Sequence, residues 1–331
     1  MKKYLLYAIA FILLQSCSKG NRFDRCKDFD IDGCPFGVYM YPDLDCYECP
    51  CFNPNNNNEF IALHQKDGNT SLVKVNLHTN VKTVLLNNAL INGQPQWGKK
   101  GWIVFYTRNW KIWRIKDDGS GIKQLTFGYC DQNPRFNSDG DKIIYTRSIK
   151  FSASQLKKKP ELALLNKLFV INVDGIVLDS FCRPLDTHGC SLWRIASWQK
   201  EEIVANYGPN NDLTICGLAV YDNNGNEKRV LYDDGEFQTL RDLEWIWGTN
   251  EVMYTADNDG LVHFRNGKKK RIKKSCHEVF YKQFSISNDG EKIIIEKIYS
   301  TLVEPCTVSV DAVLVLMDIN GDNEKEIEIP E

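Results

Sequence analysis

The sequence predicts an all-β protein, a six-bladed β-propeller of four-stranded antiparallel blades preceded by a short cysteine-rich segment. Two observations lead to this fold class. The stretch 110–147 contains two hairpin patterns, one with its turn at Asp118-Gly119 and one with its turn at Ser138–Gly140. Such turns between β-branched runs are a strong hairpin signal, because glycine readily adopts the positive φ that they require. The resulting four-stranded unit then recurs along the chain, which is typical of radial repetition.

Six copies of the unit can be aligned on the turn that precedes its second strand. They read CFNPNNNNEFIALH (Cys51–His64), QWGKKGWIVFYTR (Gln96–Arg108), RFNSDGDKIIYTR (Arg135–Arg147), SWQKEEIVANY (Ser197–Tyr207), IWGTNEVMYTA (Ile246–Ala256) and SISNDGEKIIIEK (Ser285–Lys297). A third and a fourth strand follow each copy. The first unit begins near Cys49 and the last ends at 324–330, so we expect the ring to close without exchanging a strand. The remaining run Phe36–Met40 is predicted to add to an outer edge and latch the ring.

The pattern IWRIKDDGSGIKQLT…NPRFNSDGDKIIYTR resembles the WD-repeat-like repeat of the TolB-type β-propellers of the bacterial periplasm. The resemblance is closest in blades two, three and six, is looser in blades four and five, and covers about Glu48 to Glu331. It implies the propeller fold and a role in binding other envelope proteins. It is a poor guide to activity, since propellers host many functions.

Residues 1–16 have the pattern of an export signal. Lys2 and Lys3 precede the apolar run Tyr4–Leu14, which is too short to span a bilayer. The run leads into Leu-Gln-Ser-Cys, which resembles a bacterial lipobox, so Cys17 is the predicted lipidated residue. The alternative is a plain secretory signal with a coincidental cysteine. Because no acidic cluster follows Cys17, we expect an outer-membrane anchor that faces the periplasm rather than the cell surface.

The predicted domains are therefore the signal (1–16), a tether and cysteine-rich segment (17–45) and the propeller (46–331). Cysteines in an exported chain predict disulfide bonds. The candidates are Cys26, Cys34, Cys46 and Cys49 near the N-terminus, and Cys182, Cys190, Cys276 and Cys306 in later loops. Cys182 is expected to pair with Cys190, and Cys276 with Cys306.

No metal and no cofactor are predicted. The C-x-x-C-x-C run at 46–51 could bind a metal, but it lacks a second ligand pair at regular spacing. The D-x-D-x-D-G run at 28–33 begins like a calcium loop, yet Tyr39 stands where that loop needs a bidentate glutamate.

The connections between strands predict two unlike faces. Turns between first and second strands and between third and fourth strands are short, and they define the turn face. The other connections are long and define the long-loop face, which we expect to bind a partner. They fall at 148–166, 182–190, 208–216, 233–238, 274–278 and 300–312. The first of these is either a helical lid, with Pro160 at the start of a helix, or a packed excursion. Candidate contact residues on this face are Trp110, Arg147, His188, Trp193 and Arg194.

The sequence shows no catalytic constellation, so no enzyme is predicted. Its five histidines have no visible partner set, and it contains no G-x-S-x-G elbow, phosphate loop or zinc motif. The net charge of −2 gives no reason to expect nucleic-acid binding. Trp97, Trp198 and Trp247 are predicted to occupy the core position of the repeat, equivalent to Phe52 and Phe136, rather than a sugar-binding surface.

Two functions remain open. In the first, the protein is a non-catalytic, lipid-anchored envelope module that binds an unidentified partner protein through its long-loop face. In the second, it binds a glycan or peptide at the channel mouth, with Trp110, Arg147 and Arg194 in the lining and a residual hydrolase or lyase activity. The first is our expectation, with the membrane contacted through the N-terminal lipid only.

Overall fold

The computed structural model describes residues 38–40, 45–148, 152–158, 166–181, 196–207, 215–238, 240–257, 259–276, 278–304 and 307–330. These residues form six sheets, each built from four antiparallel strands that are consecutive in the chain. The first strand of every sheet contacts the first strands of both neighbouring sheets, and the first sheet contacts the last. The predicted six-bladed propeller is therefore confirmed.

The strands follow in chain order, and β1 (Val38–Met40) precedes the blades. Blade one contains β2 (Cys46–Asn53), β3 (Asn56–Lys66), β4 (Asn69–Asn76) and β5 (Val81–Leu86). Blade two contains β6 (Gln96–Trp97), β7 (Trp102–Tyr106), β8 (Ile112–Lys116) and β9 (Lys123–Gln124). Blade three contains β10 (Asp131–Phe136), β11 (Lys142–Ser148), β12 (Asn166–Asn172) and β13 (Val177–Phe181).

Blade four contains β14 (Ala196–Gln199), β15 (Glu202–Tyr207), β16 (Ile215–Asp222) and β17 (Glu227–Gln238). Blade five contains β18 (Leu240–Trp245), β19 (Val252–Ala256), β20 (Gly260–Arg265) and β21 (Lys268–Lys273). Blade six contains β22 (Val279–Ile286), β23 (Lys292–Glu304), β24 (Thr307–Asp318) and β25 (Lys325–Glu326).

The hydrophobic core lies between neighbouring blades rather than within any one of them. Phe52 and Phe60 of blade one, for example, share a buried cluster with Ile294 and Leu314 of blade six. A single four-stranded sheet has two apolar faces, and packing against a sheet on either side removes both from water. Burial of apolar side chains in the interface between blades six and one therefore closes the ring, and no strand is exchanged between these two blades.

β1 adds to the outer side of blade six. Val38–Met40 pairs in parallel with Thr307–Ser309 at one end of β24, while β25 pairs with the other end. The prediction that this run covers an outer edge is confirmed for these three residues. All four strands of each blade come from one continuous segment, so β1 reinforces a ring that is already complete.

Deletion of residues 26–40 should lower the melting temperature without changing the fold. The deletion removes the hydrogen bonds of a short parallel ladder, a loss of roughly 1–3 kcal/mol of unfolding free energy. Thermal unfolding followed by circular dichroism measures it, and deletion of residues 18–25 is the control. Equal melting temperatures for the two deletions would show that β1 contributes nothing to stability.

Two connections predicted as long loops are strands. Segment 300–312 continues the β23–β24 hairpin, in which Ser300 pairs with Val310 and Leu302 with Val308. Its β-branched residues favour extended backbone, and pairing across the hairpin gives their polar backbone groups partners. Segment 233–238 belongs to β17, which continues almost directly into blade five.

The connection between β11 and β12 contains a short helix, α1 (Ala153–Lys158), which precedes Pro160 instead of beginning there. Ser152 caps it, because its Oγ accepts the Gln155 N–H while Gln155 Oε1 accepts the Ser152 N–H. In the part of the chain that the structure describes, no helix is long and apolar enough to cross a membrane. Whether 148–166 forms a lid remains a prediction, since 149–151 and 159–165 lie outside the described residues.

Candidate functional site

Six equivalent side chains form a ring in the central channel. Each directly precedes the large apolar residue that ends or nearly ends the first strand of its blade, as Cys51 precedes Phe52. The ring members are Cys51, Gln96, Arg135, Ser197, Glu244 and Ser285. All six line one cavity, and we refer to them as the channel ring. Every member is polar or a thiol, so a line of hydrogen-bonding groups encircles the axis.

Four members of the channel ring join their blades to the next by hydrogen bonds. Ser285 Oγ accepts the Phe52 N–H at 3.1 Å, and Ser197 Oγ accepts the Trp245 N–H at 3.3 Å. Glu244 Oε2 accepts the Ile286 N–H at 3.0 Å in the same manner. Cys51 Sγ likewise accepts the N–H of the following blade, from Trp97. The side chain of one blade thus satisfies a backbone donor at the inner edge of the next.

Arg135 forms the charged centre of the channel. Its Nη2 donates to Asp242 Oδ1 and to Gln94 Oε1, both at 2.8 Å. The side chains of Arg135 and Asp242 are only 7% and 1% exposed. Asp242 also accepts the N–H groups of Leu243 and Phe284. This pair is therefore well supplied with partners, as a buried ion pair must be.

Glu244 shares this environment without a cationic partner of its own. Burial, and then the nearby Asp242 carboxylate, raise the pKa of Glu244 to about 8, although Arg135 opposes the shift. A carboxyl with a pKa above the pH binds its proton. Glu244 therefore binds its proton at neutral pH; burial raises the pKa of the neighbouring Asp242 as well, and the Arg135 charge opposes that shift.

A second acidic group lies further along the channel wall. Ligand atoms of Glu48, Cys49 and Glu296 lie within 4.8 Å of one another, the arrangement among the described residues that comes nearest to a metal site. Burial raises the pKa of Glu296 to about 7 and that of the Cys49 thiol well above its usual value. The Lys282 ammonium lies 3.8 Å from Glu296. A protonated thiol and a nearby ammonium make this group a poor cation ligand.

The disulfide prediction is wrong for Cys46 and Cys49. Both are buried free thiols, as is Cys51, whereas Cys130 is a half-buried free thiol. Cys49 and Cys51 pack in the apolar cluster that blades one and two share. Burial raises the pKa of Cys46 and of Cys51 to about 12. Neutral thiols are weak nucleophiles, so these buried cysteines are poorly suited to nucleophilic chemistry.

The remaining cysteine predictions are tested only in part. Cys276 is disulfide-bonded, and its partner is outside the described side chains, so the pairing with Cys306 stays a prediction. Cys17, Cys26, Cys34, Cys182, Cys190 and Cys306 all lie outside the described residues.

A cavity of about 50 Å³ opens from the channel ring toward the turn face. Pro54, Trp247 and Asn288, which come from turns between first and second strands, form part of its wall. The Lys99 ammonium of blade two lies 5.5 Å from the Trp247 ring of blade five, across the mouth. This mouth is narrow and partly covered.

The tryptophan prediction is wrong in blade five. Trp245 occupies the core position and is 3% exposed, whereas Trp247 is half-buried at the cavity mouth. The reason is the turn before β19, which spans 246–251, longer than the turn 98–101 of blade two. Trp97 and Trp198 are buried as predicted.

On the long-loop face, the structure brings Trp110 and Arg147 together. The Trp110 carbonyl accepts the Asp131 N–H at 3.1 Å, and the Asp131 carboxylate binds Arg147 through two oxygens, with Arg147 Nη2 at 2.9 Å. Arg147 is therefore committed to a buried partner, because Asp131 is fully buried. His188, Trp193 and Arg194 lie outside the described residues.

Four large apolar side chains are exposed around this point. Leu90, Trp110, Phe127 and Tyr129 are 62%, 38%, 79% and 55% exposed. Hydrogen bonds connect the segments that carry them: the Arg108 N–H donates to Leu90 O, and Lys111 Nζ donates to Gly128 O. We call these four residues the aromatic patch.

Trp110 has a positive φ of 60°, a conformation that a bulky side chain rarely adopts. Its N–H donates to Thr107 O in a tight turn between β7 and β8. Glycine or asparagine would fit that position with less strain, at a difference of about 1–2 kcal/mol. With this strained backbone the Trp110 ring remains exposed, and its centroid lies 6.1 Å from that of the Tyr106 ring.

Sequence reasoning missed the channel ring, although a signal was present. In five of the six aligned copies, the residue before the core position is polar or a cysteine, as in Arg135-Phe136 and Ser197-Trp198, and blade five follows the pattern once Trp245 is taken as its core residue. A position that is polar in all repeats faces either solvent or the axis, and only the three-dimensional arrangement distinguishes these.

No protein-family model and no curated protein matches this sequence. Solved structures do match its fold. A TolB-type protein from Agrobacterium tumefaciens is 13% identical, with a TM-score of 0.56, over 78% of this chain and 88% of that one. Oligogalacturonate lyase from Vibrio parahaemolyticus is 11% identical, with a TM-score of 0.53, over 86% and 79%.

The β-propeller domain of the Trilobed protease from Pyrococcus furiosus is 13% identical, with a TM-score of 0.52, over 87% of this chain and 97% of that one. The three proteins differ in function, and at such low identity the likeness establishes the fold alone. The chain is thus a six-bladed β-propeller with the architecture found in TolB.

Proposed function

We propose that the protein is a non-catalytic, lipid-anchored module of the bacterial cell envelope that binds a partner protein through the long-loop face. The aromatic patch is the observation that carries this proposal. Exposed aromatic clusters on monomeric proteins commonly mark interaction sites, and aromatic side chains dominate the energy of protein interfaces.

The charge around the patch indicates the chemistry of the partner. Arg108 is exposed beside Leu90, and Lys111 lies beside Gly128. The carboxylate of Asp131, whose backbone N–H donates to Trp110 O, is buried against Arg147. A partner segment with apolar anchors flanked by acidic residues would complement this basic rim.

Strain at Trp110 supports the same conclusion. A bulky residue at a positive φ costs stability, and such positions concentrate where side chains serve recognition. The alternative function, a glycan or peptide at a mouth lined by Trp110, Arg147 and Arg194, has less support, because Asp131 already occupies Arg147.

Substitution of the patch should abolish partner binding without loss of stability. The soluble chain from residue 18 onward is immobilised, and proteins from envelope extracts are quantified by mass spectrometry. The variant Trp110→Gly/Phe127→Ala should reduce recovery of the partner at least about tenfold, as loss of interface hot spots does.

The matched control is Ile176→Ala/Leu178→Ala, which removes two exposed apolar side chains from the outer part of blade three. It should leave recovery unchanged. The Trp110→Gly change should raise unfolding free energy by roughly 1 kcal/mol through relief of strain. Equal recovery with both double variants, or recovery of glycans alone, would refute the proposal.

The lipid anchor has its own test. In detergent phase separation, the full-length chain should enter the detergent-rich phase, because long acyl chains partition strongly into apolar surroundings. The Cys17→Ser variant should remain in the aqueous phase. A wild-type protein found in the aqueous phase would favour the plain secretory signal.

A further inference from the structure

The turn-face cavity has an unusual hydrogen-bonding character. Three members of the channel ring, Ser197, Glu244 and Ser285, each accept a backbone N–H from the next blade. A hydroxyl that has accepted a hydrogen bond still has a proton to donate. The hydrogen bonds between blades therefore use the side-chain oxygens of these residues as acceptors. Their hydroxyl protons remain able to donate to a ligand in the cavity.

Arg135 adds to the set of donors. Its Nη2 makes both hydrogen bonds to Gln94 and Asp242, while its Nε is buried without a partner. The whole side chain is 7% exposed and lines the cavity. A buried donor without a partner costs roughly 1–3 kcal/mol, so an acceptor placed here would recover that loss.

Size and surroundings restrict the acceptor further. A space of about 50 Å³ holds a group of a few heavy atoms. Trp198, Trp245 and Trp247 contribute apolar walls, and the Lys99 ammonium covers the mouth. A small anionic group attached to an apolar group would match both the size of the cavity and its tryptophan-lined mouth.

We propose that the turn-face cavity of the channel is a binding site for a single carboxylate group, held by Arg135, Ser197 and Ser285 beneath Lys99. The carboxylate belongs either to a small free acid or to the C-terminus of a peptide. This site lies on the face opposite the aromatic patch, so it does not depend on the proposed partner binding.

The site should lose affinity at alkaline pH. Glu244 faces Asp242 on its own strand, Arg135 on β10 and the Cys51 thiol on β2. Its raised pKa of about 8 keeps it protonated at neutral pH, when it can donate to a bound anion. Above pH 8 it ionises and repels the anion, so affinity should decrease about tenfold per pH unit.

Titration with defined probes tests the proposal. Sodium acetate, N-acetylphenylalanine and N-acetylphenylalanine amide are titrated at pH 7 into the soluble chain, followed by calorimetry and by tryptophan fluorescence. Binding of acetate at least as tight as N-acetylphenylalanine identifies a small free acid. Binding of N-acetylphenylalanine at least tenfold tighter than acetate and the amide identifies a peptide terminus. No binding of either acid, or equal binding of the amide, overturns the proposal.

Two variants distinguish the site from nonspecific binding. Glu244→Gln keeps an acceptor for Ile286 and cannot ionise, so it should retain at pH 9 the affinity that the wild type loses. Arg135→Met/Asp242→Asn removes both charges together and should bind the acid at least about tenfold more weakly, because a charged donor is lost. A melting temperature confirms that each variant is folded. Unchanged affinity in the double variant, or wild-type affinity that is constant to pH 9, overturns the proposal.

Discussion

Replacement of Phe60 by alanine should cost about 3–5 kcal/mol of unfolding free energy, the range for a fully buried phenylalanine. Phe60 is 0% exposed and packs with Val75 of its own blade and with Ile294 and Leu314 of blade six. The cavity would lie in the interface that closes the ring. Chemical denaturation, with the midpoint and slope fitted together, measures the loss.

Phe127→Ala is the matched control, because it removes the same side chain from a position that is 79% exposed. Surface substitutions of this kind change unfolding free energy by less than about 0.5 kcal/mol. Similar losses for the two variants would mean that the blade-six to blade-one interface contributes little. A decreased denaturant slope for Phe60→Ala alone would indicate that the ring opens before the blades unfold.

Asp242→Asn should cost about 3–5 kcal/mol, since it leaves the Arg135 guanidinium buried without its counter-ion. The two side chains lie 2.8 Å apart and are almost completely buried. Denaturation at pH 7 measures the effect. The double variant Arg135→Met/Asp242→Asn should recover most of the loss, because no charge then remains unpaired.

An exposed ion pair provides the comparison. Lys292 and Asp318 form a contact in which the lysine is 46% exposed. Asp318→Asn should cost no more than about 1 kcal/mol, because water screens such pairs. If Asp242→Asn were as mild as Asp318→Asn, the channel would be far wetter than its packing implies.

The repeat pattern was sufficient to predict the blades, because each hairpin is encoded locally by its turn and by its β-branched runs. It failed where distant parts of the chain decide the outcome. Segment 300–312 forms strands because its two halves pair with each other. In blade five, the longer turn before β19 places Trp245 instead of Trp247 at the core position. Neither result can be obtained from a single copy of the repeat.

The candidate sites could be predicted only where nearby residues determine them. The exposure of Trp110 was predictable because this residue falls in a connection and not in a strand of the repeat; its role in binding stays a prediction. The assembly of Arg135, Asp242 and Glu244 requires two strands, β10 and β18, from two blades that are distant in the chain. The oxidation state of Cys46 and Cys49 depends on what the strand packs against, which spacing does not specify.

The elongated β23–β24 hairpin makes blade six longer than blades four and five, so the ring does not have the sixfold symmetry that its repeats suggest. β23 continues to Glu304, several residues past the end of β15 or β19 relative to the channel ring. The extension is on the order of 20–25 Å at the usual rise per residue. It projects on the far side of the axis from the aromatic patch, braced by β1. A partner that bound to the long-loop face would contact the β23–β24 hairpin on one side and the aromatic patch on the other. Only one of the six rotational settings available on a symmetric ring would then fit.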